Sequence, residues 1–146
     1  MPGERGVGEL GRFVRAQDEG GTYQRALAEL REGRKSSHWM WFVFPQLAGL
    51  GRSPTARHYA IGSLDEAREY LDHPLLGPRL RDCAGVLLGL QGVSAEEIFG
   101  GLDAQKLRSS MTLFMRARPQ EKLFGELIDL YFAGTPDSAT DDLLGS

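Results

Sequence analysis

The stretch Gly101-Leu102-Asp103-Ala104-Gln105-Lys106-Leu107-Arg108-Ser109-Ser110-Met111-Thr112-Leu113-Phe114 decides how the chain is read. At about 100° per residue, Leu102, Asp103, Lys106, Leu107, Ser110, Leu113 and Phe114 share one face. Ala104, Gln105, Arg108, Thr112 and Arg116 take the other. This period predicts an amphipathic helix beginning after Gly101. Its apolar face also carries Asp103, Lys106 and Ser110. Burying a charge is costly unless it is paired, so these three either satisfy one another or line a cavity. The plainer reading makes Asp103 an N-cap and lets Lys106 snorkel to solvent past Leu102.

The same period recurs outward from this segment. Leu10, Phe13 and Val14 mark one helix, and Tyr23, Leu27 and Leu30 another, with Thr22 as its expected N-cap and Gly33 as its stop. Ser63 with Glu66 and Ser94 with Glu97 match the capping box, in which hydroxyl and carboxylate satisfy reciprocal backbone donors. Pro74 should end the helix of Ala67, Tyr70 and Leu71, and Pro78 should open that of Leu80, Ala84 and Leu87. A last long helix after Pro119 presents Leu123, Phe124, Leu127, Ile128 and Tyr131 and stops at Gly134. No segment shows sustained alternation with hairpin turns, and only Trp39 to Phe44 is compatible with either strand or buried helix. The expected class is all-α: a single-domain bundle of about six to eight short helices over residues 1–146. The ordered core is expected over 9–136, with fraying at 1–8 and 137–146.

Composition narrows the function classes. Hydrophobic residues form 41% of the chain and charged residues 25%, a balance that favours a folded globule over disorder. Cys83 is the sole cysteine, so no intramolecular disulfide can form, and a reducing, cytoplasmic setting is expected. The first twenty residues hold no apolar block, and Trp39–Phe44 is too short to span a bilayer, so neither signal peptide nor membrane partner is expected. The net charge of −3 argues against a nucleic-acid partner, which needs a basic face. Charge is nevertheless uneven, with Arg25, Arg31, Arg34, Lys35, Arg52 and Arg57 in the first half and Asp137, Asp141 and Asp142 in the tail, so a local anion site remains open.

Chemistry is densest in Arg34-Lys35-Ser36-Ser37-His38-Trp39-Met40-Trp41-Phe42-Val43-Phe44-Pro45-Gln46, where a cationic, hydroxylic start runs into four aromatics. One reading is a core-forming aromatic plug whose Lys35 and Ser36 cap an element. The other has Trp39 or Trp41 stack on a flat ligand, with Lys35 and His38 at its edge. His38, His58 and His73 lack metal-ligand spacing, so no metal and no cofactor are expected. Gly49-Leu50-Gly51-Arg52-Ser53 lacks the P-loop lysine and reads as a turn. Arg79, near a helix start where its charge opposes the dipole, calls for an acidic partner or an anionic ligand.

Phe13-Val14-Arg15-Ala16-Gln17, Lys35 through Gln46, Gly49-Leu50-Gly51, His73-Pro74-Leu75-Leu76-Gly77 and Asp103 through Phe114 together resemble the domain of unknown function 1810 family. Its bacterial members are sometimes labelled calpastatin. The resemblance covers Phe13 to about Thr140 and implies a compact helical fold. Eukaryotic members are linked to folding of a translation elongation GTPase, which implies a non-enzymatic, chaperone-like binding module. His58-Tyr59, His73-Pro74, Gly77, Lys106 and Gly134 also resemble the hydrolases that cleave N-glycosidic bonds in NAD- and ADP-ribose-like molecules.

The leading expectation is therefore a pocket between Lys35–Gln46 and Asp103–Phe114 for a small nucleotide or ADP-ribose-like molecule. Lys35, Ser36, Trp39, Trp41, Gln46, Arg79 and Ser110 would bind it. In a hydrolytic version Asp103 acts as general base, Lys106 as electrostatic stabiliser or nucleophile, and His38 moves protons. The rival is the module for a GTPase partner, docking through an exposed aromatic segment.

Overall fold

Two glycines with positive φ, Gly20 at 59° and Gly21 at 71°, reverse the chain at the end of its first helix and let two helices lie side by side. The computed structural model describes the backbone of residues 2–145 and the side chains of residues 10–145. Helix α1 runs Pro2–Asp18 and, after a 3-10 turn at Glu19–Gly21, α2 runs Thr22–Glu32. There follow α3 (Met40–Val43), α4 (Pro54–His58), α5 (Leu64–Asp72), α6 (Leu76–Gly89) and α7 (Ala95–Phe99). The last three are α8 (Gly101–Ala117), α9 (Leu123–Phe132) and α10 (Ser138–Leu144). The class is all-α, and α3, α4 and α7 are single-turn additions to the periodic helices. Among the described residues the sole β-type pairing is an isolated parallel bridge between Leu47 and Ile61.

Most termini follow their local chemistry. Gly33, at φ 74°, closes α2. Ser94 and Glu97 form the full capping box at α7. Ser63 accepts from the Glu66 amide, yet the Glu66 carboxylate takes the Gly62 N–H at 2.6 Å, so that box is half formed. Thr22 is not the N-cap of α2: Gly21 holds that place, and the Thr22 hydroxyl donates back to the Glu19 carbonyl at 2.6 Å. Helix α6 starts two residues before Pro78, because His73 Nδ1 accepts the amides of Leu75 and Leu76 at 3.1 and 3.2 Å. Beside it Gly77 leaves no room for a side chain, since a Cβ there would lie 2.1 Å from the Leu71 carbonyl oxygen.

The core surrounds α8, which packs against α5, α7, α9 and α10. Residues Ser109, Ser110, Met111, Thr112, Leu113 and Phe114 are all buried. The two-faced reading of this helix therefore fails in its second half, where Thr112 is as enclosed as Leu113. It also fails at Leu102, which is 84% exposed. Over Ser109–Phe114 the helix is enclosed on all sides and has no solvent face for a periodicity to report, whereas Gln105 and Arg116 are exposed, as the polar face requires.

The tail expected to fray also helps to enclose α8. Asp137, 5% exposed, caps α10 by accepting from the Thr140 amide at 3.0 Å and hydroxyl at 2.6 Å. It also takes hydrogen bonds from Gln105 and Ser109 of α8. Arg116 and Asp141 add a two-pronged pair at 2.9 and 3.0 Å. Asp137 and Asp141 of the acidic tail thus fasten α10 onto α8. The stretch 1–8 coincides with the start of α1, with its side chains and Met1 outside the described residues.

Candidate functional site

Between α2 and α3 the chain has no regular structure from Arg34 to Trp39, so its backbone donors need partners elsewhere. Glu29 of α2 supplies them. Its carboxylate accepts the Ser36 amide at 2.8 Å, the Ser37 amide at 3.1 Å, the Ser37 hydroxyl at 2.5 Å and the Trp39 indole N–H at 2.8 Å. Burial alone would push the Glu29 carboxyl up, but the bonds from the Ser37 hydroxyl, the Ser36 amide and the Trp39 indole outweigh it and bring it down to about 2. The Lys35 amide is held in turn by the Ile98 carbonyl at the end of α7, at 2.7 Å.

This clamp turns Lys35 toward α8. Lys35 Nζ lies 2.7 Å from one Asp103 oxygen, and Lys106 Nζ lies 2.9 Å from the other. All three are largely enclosed, with 9%, 24% and 19% of the Lys35, Lys106 and Asp103 side chains exposed. Burial opposes the Asp103 charge, but hydrogen bonds from Lys106 and Lys35 outweigh it and hold its carboxyl below the usual range. Lys35 Nζ sits 5.2 Å from the centroid of the Trp39 ring, and Lys106 Nζ 4.5 Å from that of Trp41. A cavity of about 200 Å³ opens here, walled by Lys35, His38, Trp39, Trp41, Asp103 and Lys106. Met40, Phe42 and Thr55 complete the lining.

Six of the residues picked from sequence therefore meet at one cavity, from segments far apart in the chain. Four do not. Ser36 is exposed and meets Glu29 through its backbone amide. Gln46 lines a separate cavity beside α4, which shares Trp41 with the first. Ser110 is sealed in the core, its hydroxyl without a partner among the described residues. Arg79 pairs with Asp18 at 2.8 Å, donates to Gln17 at 3.2 Å and covers the Tyr23 ring at 4.7 Å, so its acidic partner is internal. His58 and His73 lie elsewhere, and no cluster fit to hold a metal occurs among the described residues.

The geometry also corrects how the tryptophans were to act. Trp39 is 1% exposed with its indole N–H committed to Glu29, and an ammonium already covers Trp41. Trp39 therefore presents no bare face for stacking, and Trp41 has one face taken by the ammonium while it borders two cavities. Phe44 is buried with Met40 and Val43, so the aromatic segment is mainly core, and Trp41 and Phe42 alone are part-exposed. Glu29 was missed in the sequence, although it sits three residues beyond Ala26 on the face that carries Tyr23 and Leu30. A carboxylate on an apolar helix face is the signal that singled out Asp103.

Residues 8–144 match the family described as a protein of unknown function, DUF1810. The chain belongs to the DUF1810 family. Its fold is similar to the crystal structure of the conserved hypothetical protein Rv1873 from Mycobacterium tuberculosis, at 53% identity and a TM-score of 0.91. That match covers 94% of this chain and 97% of the other. A comparison with curated proteins finds no match. No helix among the described residues of this DUF1810 chain is long and apolar enough to cross a membrane.

Proposed function

We propose that the cavity between the Lys35–Phe42 segment and α8 binds a small anion carrying a planar moiety, of the nucleotide or ADP-ribose-like kind. One observation carries this reading: two enclosed ammoniums share a single carboxylate in the wall of an aromatic cavity. At the ammonium pair itself two positive charges meet one negative, an excess of one, because the Glu29 carboxylate is committed to the Ser36, Ser37 and Trp39 donors. An incoming phosphate or carboxylate supplies the missing negative charge. The volume of about 200 Å³ lies below the roughly 300 Å³ at which pockets begin to enclose whole drug-sized ligands. It therefore takes one planar moiety with its charged group, and the rest of a longer molecule lies outside.

The hydrolytic extension draws no support from this arrangement. A general base needs a lone pair aimed at a substrate and an affinity for protons near the working pH. Asp103 has both oxygens held by lysines and a carboxyl shifted the wrong way. Lys106 Nζ is engaged as a donor to Asp103 and covers an indole, which is not the posture of a neutral nucleophile. The proposal is accordingly one of binding.

Titration calorimetry with AMP, ADP-ribose and NAD tests it, using the wild-type chain and Lys106→Ala. Binding should weaken as ionic strength rises, and Lys106→Ala should lose about tenfold or more in affinity. No heat from any of the three ligands overturns the reading.

A further inference from the structure

Trp41 also borders a second cavity, of about 110 Å³, which it shares with Gln46, Gly51, Ala56, Arg57 and Tyr59. Gln46 is 8% exposed, and its side-chain Nε2 finds no hydrogen-bond partner among the described residues. Its main chain is already used, the carbonyl accepting from the Ile61 amide at 2.8 Å. A buried N–H donor left without a partner costs about 1–3 kcal/mol, so Nε2 calls for an answering acceptor atom. The cavity it lines is where one can stand. Ser110 has an unpartnered hydroxyl too, but it is fully buried within the packed α8 and contributes to no such wall. Among the described residues, Gln46 joins an unanswered polar atom to the wall of a cavity.

The walls fix what fits. A Cβ added to Gly51 would lie 2.5 Å from the Ala56 Cβ and 3.3 Å from the Trp41 ring, so loop and helix close tightly around the cavity. An apolar cavity of about 150 Å³ admits benzene, so this one takes a planar group of slightly smaller size with its remainder at the opening. Arg57 stands at the exposed edge, and no carboxylate borders the interior, which leaves a buried cation unpaired. A terminal carboxamide offers one acceptor and two donors, and it pairs best with a neutral edge of the same kind. We propose that this cavity is a subsite for a small neutral group with adjacent acceptor and donor atoms, such as a primary carboxamide or the lactam edge of a pyrimidine. The assignment is independent of the anion site, although Trp41 stands at both.

The experiment follows the Gln46 side-chain NH2 and the Trp41 indole N–H in nitrogen-correlated NMR spectra of the full chain, titrated with acetamide, uracil, acetate and benzene. Acetamide and uracil should shift the Gln46 signals saturably, whereas benzene and acetate should not. Gln46→Leu should lose about tenfold or more in uracil affinity and gain benzene binding. Gln46→Met, closer in shape, gives the same readout through Trp41 if the leucine variant folds poorly. Uracil should shift the Gln46 signals equally with and without saturating AMP, which separates this subsite from the anion site. Four results would each overturn the assignment: no saturable shift with either amide, equal uracil affinity in Gln46→Leu and Gln46→Met, tighter binding of acetate than of acetamide, or a persistent water contact at Gln46 that saturating uracil fails to displace.

Discussion

Replacing Glu29 by glutamine tests whether one carboxylate holds the Ser36–Trp39 segment in place. Its carboxyl is brought from an ordinary 4.5 to about 2 by donors that include two backbone amides, a hydroxyl and an indole N–H. That difference of about 2.5, at roughly 1.4 kcal/mol for each pH unit, is worth about 3 kcal/mol of folding free energy at neutral pH. The sign follows from a folded value below the unfolded one. The contribution is complete above pH 4.5 and is lost as pH falls toward about 2. Glu29→Gln keeps the shape but loses the charge, so it should unfold about 3 kcal/mol more easily at neutral pH. It should also lose part of the acid sensitivity of the wild type. Asp103 shifts in the same direction, so the variant keeps a residual slope, and the difference between the two proteins isolates Glu29. Urea unfolding across this pH window, read by fluorescence of Trp39 and Trp41, measures both effects. A variant within about 0.5 kcal/mol of wild type, or one with an unchanged acid slope, refutes the reasoning.

Three further outcomes are expected. Gly77→Ala should destabilise the chain by about 2–4 kcal/mol in thermal unfolding, because its Cβ would meet the Leu71 backbone at 2.1 Å; a neutral substitution would show that the α5–α6 corner opens easily. Asp137→Ala should cost about 1–3 kcal/mol and raise hydrogen exchange selectively across Ser138–Leu144. Unchanged exchange there would mean that Asp137 does not fasten α10. Cys83, fully buried and with its thiol pushed up to about 12 chiefly by burial, should resist an aromatic disulfide reagent in the native state and react once denaturant unfolds the chain; rapid native labelling would contradict its burial.

Helix positions were legible wherever capping and periodicity acted locally. Ser94, Gly33 and Pro74 each set a boundary through atoms a few residues away, and that chemistry is written in neighbouring letters. The misread points depend on partners distant in sequence. Thr112 looked solvent-facing because its neighbours Arg108 and Arg116 are polar, yet α10 covers it, and its hydroxyl accepts the Asp137 amide at 2.8 Å. Leu102 looked inward-facing by its 3.6-residue phase, yet it stands at the first turn of α8, where the helix leaves the core. Periodicity reports a helix with one wet side. It fails where a helix is enclosed all round and where its end projects beyond its neighbours.

The candidate site was legible for a different reason. Asp103 and Lys106 stood out because charge on an apolar face requires compensation, and compensation brings distant charges together. Lys35 meets that requirement from a distant segment of the chain, at 2.7 Å. The rule applied equally to Glu29, on the inner face of α2, and it would have found the clamp that orients the cationic segment. The two carboxylates divide the work between them. Glu29 satisfies the backbone and indole donors of a segment without regular structure, whereas Asp103 holds the ammonium that this segment delivers. Removing Asp103 would leave two enclosed cations facing each other. Removing Glu29 would instead leave Lys35 its partner but loosen the chain that carries it. Binding-site disorder and charge repulsion are thus separable by mutation, and an anion that restores stability to Asp103→Asn more than to Glu29→Gln would mark the lysine pair as its contact.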